Sequence, residues 1–297
     1  MCTAILWKHY FGRTLDYEMS FGEQVVMVPR RMPLQFCVKP PLKSHYAILG
    51  MASVQRGTPL FFDGMNERGL AMAGLQFAEY AAYSKEGSVA PFELIPWVLG
   101  QCADLAQARH LLHGQELCDR SFSKELPNAP LHWMIADGSG AIILEPTAEG
   151  LQIYEATEGV MTNSPPYPYH KLRYEELQHL SAEHSPHAAR RGLSAVGLPG
   201  DYSSASRFAR AAFIRAHLRG EGEEAFFSMT DNISVPRGCL RLPQGDAFTR
   251  YTCCCNLQRG SYCYTTHQRR TPIFFSFADG ELDGDQIFCC KMGRTMV

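Results

Sequence analysis

Apolar positions along this chain come in short runs. "EQVVMVPR" (residues 23–30), "SHYAILGM" (44–51) and "LAMAGLQF" (70–77) are bounded by turn residues and read as strands. "LHWMIADGSGAIILEPT" (131–147) reads as a hairpin, with "DGSG" turning between two apolar runs. "YTCCCNLQRGSYCYTT" (251–266) reads the same way around "QRG". The period changes in two places. "ADLAQARHLLHG" (103–114) puts Leu105, Ala108, Leu111 and Leu112 on one helical face, with Gly114 as the stop. "SSASRFARAAFIRAHLRG" (203–220) opens with serines suited to N-capping and ends at Gly220. Strands, then helices, then more strands predict α+β layers rather than a regularly alternating parallel sheet.

Composition narrows the classes. The chain has 297 residues, 45% apolar and 20% charged, enough to bury a sizeable core. The formal net charge is −2 and no basic face dominates, which argues against a nucleic-acid partner. No apolar run approaches the ~18 residues that would cross a bilayer, so no membrane partner is expected. Lys8 and His9 interrupt the early apolar stretch "AILW", so no signal peptide is read there and a cytoplasmic protein is expected. The 11 cysteines should then stay reduced. Three adjacent cysteines do not make zinc spacing, so Cys253, Cys254, Cys255 and Cys263 read as small hydrophobes in strands. His110 and His113 lack a third ligand at useful spacing and read as structural. Neither a metal nor a cofactor is expected.

The candidate chemistry starts at the second residue. Methionine is trimmed when the next residue is small, and trimming would leave Cys2 with its own α-amine. That amine has a reference pKa of about 7.7–8.0 and the thiol about 8.5, so the amine can accept the thiol proton near neutral pH. Nucleophile and base would share one residue, and the reaction class would be acyl transfer to water. In "YFGRTLDYE", Arg13 would favour a thiolate and Asp16 could orient an ammonium, although a surface ion pair would show the same spacing. In "GVMTNSPPYPYH", the amide of Asn163 could donate to an oxyanion, or serve an ordinary Asx turn. Arg207 falls in the first turn of the helix that "SSASRF" opens, where a cation opposes the helix dipole. That placement suggests another task for it, with a salt bridge to Asp201 as the alternative.

These segments resemble the choloylglycine hydrolase family, which includes bile salt hydrolases and penicillin V acylases. The matching pieces are "MCTAI", "FGRTLDYE", "DGMNERGLAMAGL", "LHWMIAD", "MTNSPPYPYH" and "GLPGDYSSASRFAR", with "NISVPRG" and "TRYTCCCNLQRGSYCY" extending the match toward the C-terminus. The resemblance implies an N-terminal nucleophile hydrolase fold, a four-layer αββα sandwich with two stacked antiparallel sheets, as a single domain over residues 1–297. It implies Cys2 as nucleophile after removal of Met1 and Arg13 and Arg207 as arginines of the catalytic centre. Asp16 would be the carboxylate contacting the α-amine, and Asn163 the oxyanion asparagine. It also implies a homo-oligomer, most often a tetramer.

One position departs from the pattern. Bile salt hydrolases usually carry Asn, and penicillin acylases Tyr, where this chain has Gln76. If the backbone N–H there is the oxyanion contact, the chemistry survives and substrate orientation is what changes. Two features lean toward a conjugated bile salt as the small-molecule substrate. The chain begins "MCTAI" with no inserted residues, and Trp133 stands where penicillin acylases often have Tyr. The positions lining the sterol pocket in relatives correspond to Leu15, Phe62, Phe122, Leu126 and Leu131, all apolar as a flat sterol face requires, though core packing would select the same residues. Phe62 replaces a smaller residue and would narrow the pocket. The segment "RRGLSAVGLPGD" (190–201) lies where relatives carry a selectivity loop and matches neither glycine nor taurine preference. The alternatives are an acylase of penicillin V or of other N-acyl amides such as acyl-homoserine lactones and, from another class, a thiol-rich binding or redox-buffer protein. The last would need neither a free N-terminus nor Arg13, Asp16, Asn163 and Arg207.

Overall fold

The structure, a computed structural model, describes residues 1–183 and 194–293. Strands β1 (Cys2–Trp7) and β2 (Tyr10–Tyr17) form the first hairpin, and β3 (Glu23–Val28), β4 (Ile48–Gln55), β5 (Thr58–Asn66) and β6 (Ala71–Gln76) follow. Helices α1 (Leu94–Gln101) and α2 (Leu105–Leu112) precede β7 (Leu131–Asp137), β8 (Gly140–Thr147) and β9 (Gly150–Glu155). The short β10 (Val160–Met161) leads to helices α3 (Tyr167–Glu175), α4 (Ser204–His217) and α5 (Gly222–Asp231). A small ribbon, β11 (Arg241–Leu242) with β12 (Gly245–Asp246), comes next. Then follow β13 (Phe248–Asn256), β14 (Ser261–Thr266), β15 (Ile273–Ser276) and β16 (Phe288–Lys291).

The strands form two large antiparallel sheets. One runs β10-β1-β2-β13-β14-β15, the other β16-β3-β4-β5-β6-β7-β8-β9. Alternation along β3 shows how they stack. Val25 and Met27 join a core with residues of both sheets, whereas Val26 and Val28 join a second core with Trp97, Val98 and Leu105 of α1 and α2. Phe208 of α4 and Phe226 of α5 pack with the six-stranded sheet. The layers are therefore αββα, and the sheets have both faces covered. That is why the strands read as near-continuous apolar runs. The cysteines of β13 and β14 are buried in the sheet, with Cys254 directly opposite Cys263. His110 and His113 are exposed.

Two elements differ from the sequence pattern. The apolar run at 44–51 enters its sheet only at Ile48, because the amides of His45 and Tyr46 are taken by the carbonyls of Arg30 and Gly100. Helix α4 stops at His217, since Leu218 turns extended, and Gly220 lies beyond it. Gly12 explains the glycine of "FGRTLDYE": a Cβ there would lie 2.0 Å from the Cys253 carbonyl oxygen, so only glycine lets β13 close against β2. Among the described residues no helix is long and apolar enough to cross a membrane.

Candidate active site

Cys2 opens β1, between β10 and β2, and stands opposite Leu15. The register that pairs Ala4 with Met161 carries Asn163 to the level of Cys2. Cys2 N–H donates to Asn163 Oδ1 at 2.6 Å. Arg207 reaches the same place from α4. Its Nη1 donates to the Cys2 carbonyl at 2.5 Å and to Thr3 Oγ1 at 2.6 Å, its Nη2 to Asn163 Oδ1 at 2.9 Å, and its Nε to the Tyr202 carbonyl at 3.1 Å. Two donors converge on Asn163 Oδ1, which fixes its amide orientation. Asn163 Nδ2 then faces the Gln76 carbonyl and donates to it at 2.8 Å, with one N–H left over.

The salt bridge considered for Arg207 does not form. Asp201 instead accepts from Ser203 N–H and Ser206 Oγ at the start of α4, and these bonds hold its carboxyl at about 2. Arg207 is fully buried; burial pulls its guanidinium down, and nearby Asp16 and Cys2 pull it back.

Arg13 and Asp16 lie three apart in β2, not on a turn, so they face opposite sides of the strand. Asp16 is fully buried and accepts from Thr249 Oγ1 at 2.6 Å and Thr14 Oγ1 at 3.1 Å. The amine of Met1 donates to the Asp16 backbone carbonyl at 2.7 Å, while the nitrogen of Cys2 belongs to Asn163. Arg13 Nη1 donates to the carbonyls of Gly74 at 2.7 Å and Phe62 at 3.4 Å, and its Nε to the Thr14 carbonyl at 3.2 Å. Its Nη2 is buried with no hydrogen-bond partner among the described residues. Burial works against the Arg13 charge, but Cys2, Tyr251 and Asp63 more than offset it and hold the guanidinium above its ordinary value.

Gln76 ends β6 opposite Leu131 of β7. Phe77 N–H donates to the Pro130 carbonyl, and Leu131 N–H turns away to the Tyr83 hydroxyl at 2.8 Å. Gln76 and Leu131 are thus a non-hydrogen-bonded pair, and the Gln76 backbone N–H points the same way as its carbonyl, toward Asn163. Leu15 and Leu131 therefore neighbour Cys2 and Gln76, and Phe62 offers its carbonyl to Arg13 while its ring meets Phe21 at 5.6 Å. Phe122 and Leu126 belong to the segment before β7, where Phe122 meets the Phe92 ring at 5.5 Å and Leu126 is partly exposed. Of the segment 190–201, residues 190–193 lie outside the described residues.

The sequence reading missed the residues that hold this constellation. Ser204 Oγ and His170 Nε2 both donate to the Asn163 carbonyl, at 2.7 and 2.8 Å. Burial pushes His170 down to about 4, so it stays neutral, with its Nε2 carrying the proton. Thr14 lay within a quoted motif, but nothing marked its hydroxyl as a partner of Asp16.

An N-terminal cysteine set among buried arginines in an αββα sandwich defines a cysteine amidase of the N-terminal nucleophile class. The family profile of linear amide C–N hydrolases, choloylglycine hydrolase family, matches residues 2–289, and the chain belongs to that family. It is 38% identical to a bile salt hydrolase/transferase of Lactiplantibacillus plantarum, over 97% of this chain and 95% of that one. A crystal structure of a mutant conjugated bile acid hydrolase from Clostridium perfringens superposes with a TM-score of 0.94 at 32% identity, covering 99% of this chain and 98% of the other. Penicillin V acylase from Agrobacterium tumefaciens shares the fold, with a TM-score of 0.79 at 20% identity over 99% of this chain and 92% of its own.

Proposed function

We propose that the protein hydrolyses the amide bond of glycine- or taurine-conjugated bile salts, with Cys2 as nucleophile once Met1 is removed. The observation that carries this reading is the capture of both backbone polar atoms of Cys2. Asn163 takes the nitrogen and Arg207 the carbonyl, while buried Arg13 keeps an unused donor. Relatives 38% and 33% identical to this chain bear bile salt hydrolase names, which supports the substrate class.

The steps follow from the groups present. The Cys2 amine takes the thiol proton, and the sulfur attacks the amide carbonyl carbon. Negative charge develops on the carbonyl oxygen, where the Gln76 backbone N–H and the second N–H of Asn163 Nδ2 donate to it. The ammonium returns the proton to the leaving nitrogen, the C–N bond breaks, and glycine or taurine departs. Water then cleaves the thioester. Arg13 favours the thiolate; Arg207 fixes the Cys2 carbonyl and Asn163; Asp16 supplies the counter-charge to Arg207 and steadies the ammonium. By the family resemblance Leu15, Phe62, Phe122, Leu126 and Leu131 line the sterol pocket, and the positions of Leu15 opposite Cys2 and Leu131 opposite Gln76 support this for those two.

Gln76 favours one second reading, an acylase of penicillin V or of other N-acyl amides, because it departs from the asparagine of bile salt hydrolases. Hydrolysis of glycocholate, taurocholate and penicillin V measured side by side decides. Greater kcat/KM for either bile conjugate supports the proposal, and greater kcat/KM for penicillin V overturns it. Gln76→Ala should cost about two- to tenfold in kcat/KM, the worth of one substrate hydrogen bond. A loss of about a hundredfold in kcat on every substrate would instead put the side chain in the oxyanion machinery. By the family resemblance we also propose one catalytic domain over residues 1–297, a cytoplasmic location and a homotetramer. Light scattering on the purified protein tests the assembly.

A further inference from the structure

We propose that Asp63, held by Tyr251 and Tyr262, is a positioning residue that balances the Arg13 charge and so sets the field at Cys2. The inference rests on the reading of Cys2 as nucleophile. Asp63 lies in β5 of the eight-stranded sheet and is fully buried. Its oxygens accept from the facing sheet, Oδ2 from the Tyr251 hydroxyl at 2.5 Å and Oδ1 from the Tyr262 hydroxyl at 2.8 Å, and the Cys253 thiol is a further partner. Burial, and then the charge of Asp63 itself, push both phenols up, so they keep their protons and donate.

Two β-bulges build this contact. Phe62 is the extra residue in β5, between the pairs Ala52–Phe61 and Met51–Asp63. Arg250 is the extra residue in β13, between Thr249–Asp16 and Tyr251–Leu15. An inserted residue moves everything after it to the other face of the strand. Each bulge directly precedes a member of the network, and together they turn Asp63 and Tyr251 toward each other between the sheets. The first bulge also frees the Phe62 carbonyl for Arg13.

The charges explain what the arrangement does. A buried guanidinium needs a counter-charge, but a direct ion pair would consume its donors. Arg13 spends its bonds on three carbonyls and makes none to Asp63, while its Nη2 stays open. Asp63 balances the charge through space and leaves that donor available beside Cys2. Burial pushes the Asp63 carboxyl up, and Arg13, the two tyrosine hydroxyls and the Cys253 thiol offset this only in part.

The test is the pH dependence of Cys2 alkylation by iodoacetamide, read by mass spectrometry of the N-terminal peptide. Asp63→Asn keeps the size and removes the charge. Its alkylation midpoint should move to lower pH by roughly one unit, the scale on which a single close charge acts. Tyr262→Phe, which removes one donor and keeps the ring, should move it the same way by less. Superimposable profiles for folded Asp63→Asn and the wild type overturn the proposal. If Asp63→Asn does not fold, an unshifted Tyr262→Phe profile does so. The readout needs no substrate, so failure of the wild type to cleave bile conjugates would reject the substrate reading and leave this measurement intact. Absence of any Cys2 labelling in the wild type would reject both.

Discussion

Two sets of thiols share one sheet and differ in what holds them. Cys2 sits in β1, and Cys253, Cys254 and Cys255 sit two strands away in β13. All four are buried. Around Cys2 stand Asn163, Arg207 and the charge of Arg13. The β13 thiols are pushed well up, chiefly by burial; Asp63 adds to this for Cys253 and Cys255, and the facing Cys263 does so for Cys254. Burial alone makes a thiol inert, and buried cations change its chemistry. The count of cysteines therefore says little: Arg13 lies near Cys253 as well, and what sets Cys2 apart is the hold of Asn163 and Arg207 on its backbone.

The largest effect that sharpens this contrast is expected at Cys2. Cys2→Ser should lower turnover on the best amide substrate by on the order of a thousandfold or more, since a hydroxyl gives up its proton far less readily. A stopped assay of released glycine or taurine measures it, and retention of a tenth of the activity would break the contrast. Arg207→Lys comes next. It keeps the charge but loses the planar fork that spans Cys2, Thr3 and Asn163, so kcat should fall roughly ten- to a hundredfold with little change in melting temperature. Unchanged kcat in a folded variant would return Arg207 to a packing role.

A third effect concerns pH. His170 is held at about 4 when folded against an ordinary value of 6.5, so the unfolded chain binds the extra proton first. Its contribution to stability is intact above about 6.5 and is lost progressively as pH falls toward 4. The melting temperature should drop across that window, and His170→Gln should flatten the drop. Equal slopes in both proteins would count against a neutral His170 clamp on Asn163. The smallest effect on turnover belongs to Cys254→Ala, which should leave kcat/KM within about twofold and cost about 1 kcal/mol or more of stability through the lost buried sulfur. A large loss of kcat there would erase the difference between the two sets of thiols.

Much of the fold was legible because both faces of each sheet are covered, so strands such as β3 and β6 carry unbroken apolar runs between turn residues. The hairpins of β7 with β8 and of β13 with β14 announced themselves through "DGSG" and "QRG". Of the candidate site, the motifs named Cys2, Arg13, Asp16, Asn163 and Arg207, and the structure brings Cys2, Asn163 and Arg207 into direct contact. The site was illegible where the partners meet only through register. Asp63 and Tyr251 are 188 residues apart, and Asp16 and Thr249 are 233 apart. No local pattern reports such a pairing, and the bulges at Phe62 and Arg250 that make it possible look like any other strand residue. Ser204 was read as one of the capping serines, yet Ser203 is the cap and Ser204 serves the Asn163 carbonyl.

The bond from Arg207 to the Cys2 carbonyl spans 205 residues, and the hydroxyl of Tyr262 that completes the Asp63 network comes later still. During synthesis Cys2 is thus made long before most of its surroundings. At about 5–20 residues per second, roughly 10 to 50 seconds separate Cys2 from Tyr262. Until α4 is made, the thiol has Arg13 of β2 near it but lacks Arg207, which holds its carbonyl and Asn163. Amidase activity is therefore a clock that starts only when nearly the whole chain has emerged, and nascent fragments carry the cysteine without the chemistry.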